Sequence, residues 1–161
     1  MTIRVRRAER GDAETLLDLV RALADYEMLD PPTQDAQARL IRDGWPESGP
    51  ARFSAWLAES DDPDHGTSAA VGYAITFCTY SSFLALPTLY IEDIFILPEH
   101  RRDGAGTALF HALATEARQI GCGRMEWVVL DWNTTAQQFY RKLGARHLDD
   151  WHYYRLNLNS V

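Results

Sequence analysis

The chain has 161 residues, 46% of them hydrophobic and 11% aromatic, which supplies the core of one domain over residues 1–161 and excludes a disordered or fibrous chain; about 70% of the unfolded surface is buried at this length. A formal net charge of -7, without any basic stripe, excludes nucleic acid as the main partner. No apolar run approaches the ~20 residues of a membrane span, and Cys78 and Cys122 have no disulfide framework or metal-ligand spacing, so we expect a soluble, cytoplasmic chain that lacks a structural disulfide and a metal.

Ile3 and Val5 alternate with Arg4 and Arg6, which predicts a first strand with one wet face. Asp12 is placed to cap a helix whose stripe is Leu16, Leu17, Leu19, Val20, Leu23 and Ala24. Pro31-Pro32 ends that segment, and a shorter helix spans Gln34 to Arg42 before the turn residues Gly44, Pro46, Gly49 and Pro50. A second strand runs from Phe53 to Ala58, a loop from Asp61 to Gly66, a third strand from Ala70 to Tyr80 and a fourth from Leu89 to Leu97. Gly104 to Ile120 reads as a long amphipathic helix stopped by Gly121-Cys-Gly123. Met125 to Leu130 forms a fifth strand, apolar enough to be covered on both faces. A last helix, Thr134 to Leu143, closes on Gly144, and residues 146–158 offer one or two closing strands. The expectation is one layered α/β domain around a mixed sheet.

The segment Leu89-Tyr-Ile-Glu-Asp-Ile-Phe-Ile-Leu97 carries two acids inside an apolar strand, and Arg101-x-x-Gly104-x-Gly106 follows where a helix begins. A glycine-bearing loop at a helix N-terminus presents backbone N–H groups and a favourable dipole to an anion, here a phosphorylated cofactor. In a regular strand Glu92 and Asp93 face opposite sides of the sheet, and only a bulge alters that. The five histidines, His65, His100, His111, His147 and His152, are scattered and form neither a metal set nor a triad. The Gly-Lys-Ser/Thr signature of a phosphate-loop hydrolase is absent.

Arg101-x-x-Gly104-x-Gly106, together with Tyr90-Ile-Glu-Asp-Ile94, Leu130-Asp-Trp-Asn133, Phe139-Tyr-Arg-Lys-Leu-Gly-Ala145 and Leu23-Ala-Asp-Tyr-Glu27, resembles the GNAT superfamily of acetyl-CoA-dependent N-acetyltransferases. Within it, the chain is most similar to the diamine, or spermidine/spermine, acetyltransferase branch. The resemblance implies a central twisted sheet splayed between strands 4 and 5 and flanked by helices. The backbone of Ile94, Phe95 and Ile96 is then expected to bind pantetheine, and the loop Arg102, Asp103, Gly104, Ala105, Gly106 and Thr107 the pyrophosphate, with Arg101 of the same motif also among the cofactor-binding residues. Asn133 is expected to contact the cofactor from the other side; it is also a good helix N-cap, and both roles hold together. The resemblance makes Tyr140 the proton donor to the departing thiolate, whose thiol has a pKa of ~8.5; without it, Tyr140 reads as a core tyrosine beside Phe139.

Glu92 is expected to take, through ordered water, the proton that a primary amine of pKa ~10.4 must lose before attacking a thioester. Asp93 reads as structural. Tyr26, Glu27 and Glu92 line the amine pocket by the same resemblance, with Trp151 at its far end; alternatively, Tyr26 and Glu27 are the polar end of the first helix and Trp151 an aromatic of a closing strand. The resemblance further implies a homodimer and a small cationic amine as substrate. Two departures stand out. Ser81-Ser82 replaces the Asp-Pro of polyamine-acetylating members, which shifts the expected substrate towards shorter diamines or amino acids with a lysine-like or thialysine-like side chain; Arg102 and Ala105 replace the commoner glycine and isoleucine of the loop. The expected activity is acetyl transfer from acetyl-CoA to a primary amine by direct attack in a ternary complex. The alternatives are a protein lysine or N-terminal acetyltransferase, and a non-catalytic acyl-CoA-binding module.

Overall fold

The alternation at the N-terminus forms β1 (Ile3–Arg7), the edge of a five-stranded sheet of order β1-β2-β3-β4-β5. The computed structural model describes residues 2–62 and 67–158, in two compact units, Met1–Trp127 and Val128–Val161. The first unit holds the whole sheet with α1 (Ala13–Glu27), α2 (Gln34–Gly44), β2 (Ser54–Asp62), β3 (Thr67–Ser81), β4 (Leu86–Ile96), α3 (Ala105–Gln119) and β5 (Arg124–Glu126). β1 to β4 pair antiparallel, and β5 lies parallel to β4 after the α3 crossover.

Each sheet face has its own core. Ala105, Leu109, Leu113 and Ala117 recur every four residues along α3 and meet Trp56, Ala58, Ala74, Leu89, Ile91 and Ile96. On the opposite face, Leu16, Leu19, Val20, Leu23 and Tyr26 follow the helical period of α1 onto Ala55, Leu57, Tyr73, Ile75 and Phe95. That stripe brings the C-terminal turn of α1, with Tyr26 and Glu27, onto the sheet. α1 stops before Pro31-Pro32, because Met28 takes a left-handed conformation (φ 57°) and caps it with its own N–H.

Several expectations are corrected. The carboxylate of Asp12 leaves the first turn of α1 uncapped and binds Arg6 at 2.7 Å, held down at about 2 by that hydrogen bond. β2 and β3 run further than predicted, because their ladder continues from Ala58 through the polar residues to Asp62↔Thr67. His65 and residues 63–66 lie outside the described residues. The fifth strand is only Arg124–Glu126: the apolar run continues to Leu130, but the ladder stops at Tyr90↔Glu126.

In the second unit, Asn133 caps α4 (Thr134–Lys142) by accepting Ala136 N–H at 3.1 Å, and Gly144 (φ 87°) follows its end. No strand forms over residues 146–158. The alternating pattern is there, but no ladder partner is paired with it among the described residues, and Trp151, Tyr153, Tyr154, Leu156 and Leu158 are exposed.

Gly72 of β3 lies opposite Ile96 of β4, where a Cβ would fall 2.3 Å from Ile96 Cδ1 and 2.5 Å from the carbonyl oxygen of Phe95. Gly72→Ala is therefore expected to destabilise the protein by about 1–3 kcal/mol, read as a lower urea midpoint. Adding Ile96→Val should restore only part of the loss, since the Phe95 carbonyl cannot be trimmed away. An unchanged midpoint for Gly72→Ala would show that the two strands part without cost.

Candidate active site

β4 breaks register once. Ile75 pairs with Asp93 but Thr76 pairs with Ile91, which leaves Glu92 as the extra residue of a bulge. Below the bulge, Leu89 and Ile91 face α3; above it, Ile94 and Ile96 face α3 again. The two residues between them are thus both turned to the opposite face. Glu92 follows Tyr90, whose ring lies 5.3 Å from Phe77, and Asp93 sits opposite Ile75. Regular alternation separates neighbouring acids; the bulge puts these two side by side on the α1 face.

Glu92 is exposed, whereas Asp93 is partly buried and accepts a hydrogen bond from the Tyr73 hydroxyl at 3.1 Å. Burial, then the charge of Glu92, push the Asp93 carboxyl up to about 6; Tyr73 opposes this, and Glu27 adds to it from α1. Burial also raises the Glu27 carboxyl, and burial with the neighbouring acids raises the Tyr73 hydroxyl well above its ordinary value. Tyr26, one residue before Glu27, packs on Phe95 at 5.9 Å. Glu92, Asp93, Tyr26 and Glu27 therefore share one face of the sheet. Tyr73 is the member that the sequence did not single out. Its only signal was a hydroxylated aromatic between the small residues Gly72 and Ala74.

The edge of β4 is equally specific. Leu97 N–H donates to Val71 O at 2.9 Å, so Gly72↔Ile96 and Ala74↔Ile94 are the non-hydrogen-bonded pairs of the ladder. The N–H and C=O of Ile94 and Ile96 consequently point away from β3, while those of Phe95 point towards it. On the outer side β5 reaches only Thr88 to Tyr90. Beyond Tyr90, that edge has no strand partner among the described residues, and the sheet is splayed between β4 and β5.

The loop that follows is shaped by its backbone. Arg102 (φ 78°) and Gly104 (φ 87°) both take positive φ around Asp103, an alternation that makes concave arrays of N–H groups. Gly104 is the N-cap of α3 and offers no side-chain acceptor, which leaves the first N–H groups of the helix open to an anion. Open space surrounds the missing Cβ of Gly104, so glycine is needed there for conformation and not for room. Ala105 is fully buried against the α3 core, whereas Arg102, Asp103 and Thr107 are exposed and Gly106 is half-buried. The side chain of Arg101 turns back from the loop: its Nε donates to Ile96 O at 3.0 Å, and its guanidinium stacks on Tyr26 at 4.3 Å and Phe95 at 5.7 Å.

In the second unit, Asn133 and Tyr140 lie at the start and in the last turns of α4. Burial pushes the Tyr140 hydroxyl up to about 12, and its ring packs on Phe139 at 5.3 Å. Trp151 is 75% exposed. Ser81 is buried and its hydroxyl accepts Leu84 N–H in the β3–β4 turn. Among the described residues no group of three His, Cys, Asp or Glu side chains could hold a metal, and no helix is long and apolar enough to cross a membrane.

The profile of the Acetyltransferase (GNAT) family matches residues 18–145. Thialysine N-epsilon-acetyltransferase of Bos taurus is 32% identical over 158 residues, covering 95% of this chain and 91% of the bovine protein. L-ornithine N5-acetyltransferase of Arabidopsis thaliana is 45% identical over 90 residues, covering 56% of this chain and 40% of the plant protein. In three dimensions, the solved structure of AAC(6')-Iy in complex with the bisubstrate analog CoA-S-monomethyl-acetylneamine matches with a TM-score of 0.75 at 20% identity, covering 98% of this chain and 99% of that one. With its sheet, its anion-ready loop and this profile running through both units, the chain belongs to the GNAT family of acetyltransferases and is an N-acetyltransferase.

Proposed function

We propose that the chain transfers an acetyl group from acetyl-CoA to a primary amine of a small cationic substrate, an amino acid with a lysine-like side chain before a polyamine. The observation that carries this reading is the bulge that turns Glu92 and Asp93 to one face, beside Glu27. Three carboxylates there attract an ammonium and supply acceptors for its proton. The names of the relatives support the substrate class, since thialysine and ornithine both carry a side-chain amine on an amino acid. The buried hydroxyl of Ser81 agrees with it, because that residue serves the turn and offers no charge to a second ammonium. The family profile, which spans residues 18–145, supports treating both units as one catalytic domain.

The loop fits the phosphates of acetyl-CoA through the N–H groups from Arg102 to Thr107, and the outward N–H and C=O of Ile94 and Ile96 fit an amide-bearing arm such as pantetheine. Arg101, on this reading, serves the cofactor through its backbone and the Ile96 carbonyl it holds. Asn133 is assigned to the cofactor by its motif. Acetyl-CoA supplies a thioester whose carbonyl accepts the amine and whose sulfur leaves. Glu92 receives the ammonium proton through ordered water, Tyr140 returns a proton to the thiolate, and Tyr26, Glu27 and Trp151 line the amine pocket. A homodimer follows from the family resemblance, and a cytoplasmic location from the free thiols of Cys78 and Cys122.

Purified protein assayed for acetyl-CoA consumption with thialysine, ornithine, lysine, putrescine, spermidine and a basic peptide should turn over the amino acids in preference to spermidine. Turnover of the peptide alone would replace this reading with protein acetylation. Tyr140→Phe should lower kcat by about a hundredfold with an unchanged Kd for acetyl-CoA; normal turnover would remove Tyr140 from the mechanism. Arg102→Gly separates backbone from side chain in the loop. Relief of the positive φ should stabilise the fold by about 1 kcal/mol and leave the KM for acetyl-CoA within about threefold. A larger rise in KM would mean that the guanidinium itself carries a phosphate.

A further inference from the structure

Asp93 reads as structural from the sequence, yet it occupies the inner position of the acid cluster. It sits next to the bulge residue, on the same face as Glu92, and is partly buried where Glu92 is exposed. Tyr73 OH donates to its Oδ2 at 3.1 Å, which leaves Oδ1 free to take a proton. We infer that Asp93 holds the substrate's proton during acetyl transfer, that Glu92 carries this proton between the amine, Asp93 and solvent, and that Tyr73 tunes Asp93 from the neighbouring strand. This rests on the acetyltransferase reading above.

The reason is the mismatch between donor and acceptor. An ammonium of pKa ~10.4 gives its proton poorly to an ordinary carboxylate of ~3.9, and transfer improves as the acceptor approaches the working pH. Asp93, pushed up to about 6, meets that condition better than an unperturbed carboxylate would. The groups that face it are few: Tyr73 from β3, Glu92 beside it on β4, and Glu27 from α1, while Arg101 stacks on Tyr26 and Phe95 of the same face. In the step itself, the ammonium N–H bond breaks and the proton passes through Glu92 to Asp93 Oδ1. The freed lone pair forms the N–C bond to the thioester carbonyl carbon, and the C–S bond breaks with its electron pair on sulfur. The nitrogen gives up its second proton as the amide forms, the thiolate takes up one proton in its place, and Asp93 returns the first proton through Glu92 to water. The products are an acetamide and a thiol, with no net oxidation.

The test is the pH dependence of kcat/KM, combined with carbon-detected NMR titration of the Asp93 carboxyl. In the native protein, the acid limb and the carboxyl should both titrate near pH 6. Tyr73→Phe removes a bond to the ionised carboxylate, so both should rise by about one unit with the alkaline plateau retained. Asp93→Asn should lose that limb, leaving one at least about a unit lower, set by an ordinary carboxylate, with a plateau reduced by about tenfold or more. A purely structural Tyr73 would instead lower the rate equally at every pH and leave the limb in place, which would overturn the inference. A carboxyl of Asp93 titrating below about 4.5 would overturn it without any assay of activity. If the limb stays near 6 in Asp93→Asn, the role of Asp93 falls while the acetyltransferase reading stands. If the native protein turns over no amine at all, both fall together.

Discussion

The bulge at Glu92 is the constraint on which the site depends. A strand of strict alternation cannot keep Leu89, Ile91, Ile94 and Ile96 all on the α3 face, because Ile91 and Ile94 are an odd number of residues apart. One extra residue in β4 resolves this, and it does more than satisfy the core. It turns two consecutive acids to the α1 face and sets which backbone groups above the break look outward from the sheet. Had the register run on unbroken, either the isoleucines or the acids would lie on the wrong side. The hydrophobic pattern and the site are therefore two consequences of one inserted residue.

Gathering Glu27, Glu92 and Asp93 is costly for the fold. With its carboxyl raised from 3.8 to about 6, Asp93 binds its proton more tightly in the native than in the unfolded chain. The native state thus carries more protons between these two values. Stability falls as pH rises through that window, and above it the full cost, on the order of 3 kcal/mol, is present. Asp12 has the opposite sign: Arg6 holds its carboxyl at about 2, so its contribution is complete above the unfolded value and is lost only as pH falls through the folded one. The sequence thus spends stability at β4 that it recovers at β1. An acid kept in an unfavourable place is what a proton acceptor working near neutrality requires.

Much of this was legible in the sequence, because periodicity and turn chemistry are local. The stripe of α1 and the Gly104 start of α3 followed from residue spacing within a single element. β2 and β3 were found but cut short, since a ladder can extend through Glu59 to Asp62 while composition there reads as loop. The opposite error occurred at residues 127–130 and 146–158: apolar or alternating residues were present, but strand state depends on a partner edge, which is set elsewhere in the chain. The adjacent acids Glu92 and Asp93 did mark the place of the bulge. What the sequence could not convey was which pairs it would skip, and so Tyr73, two rungs away on another strand, stayed hidden. Arg101 likewise read as a cofactor-binding residue by motif, and only the fold shows its guanidinium over Tyr26.

The Arg101 contact shows how the loop and the acid face are tied together within the first unit. Its Nε holds the outward carbonyl of Ile96, while its planar end rests on the α1 residue adjoining Glu27. A shift of the loop that follows β4 therefore acts on α1 directly, without passing through the sheet. Phe95 completes the link, for its ring touches Tyr26, Tyr73 and Arg101 at once. A guanidinium seated over the Tyr26 ring and near that of Phe95 is positioned by packing as much as by charge. The backbone edge proposed for the acyl donor and the acidic face proposed for the amine are thus held in register by one side chain. An arginine at the head of the loop thus couples the β4 edge to α1 through its Nε and its guanidinium.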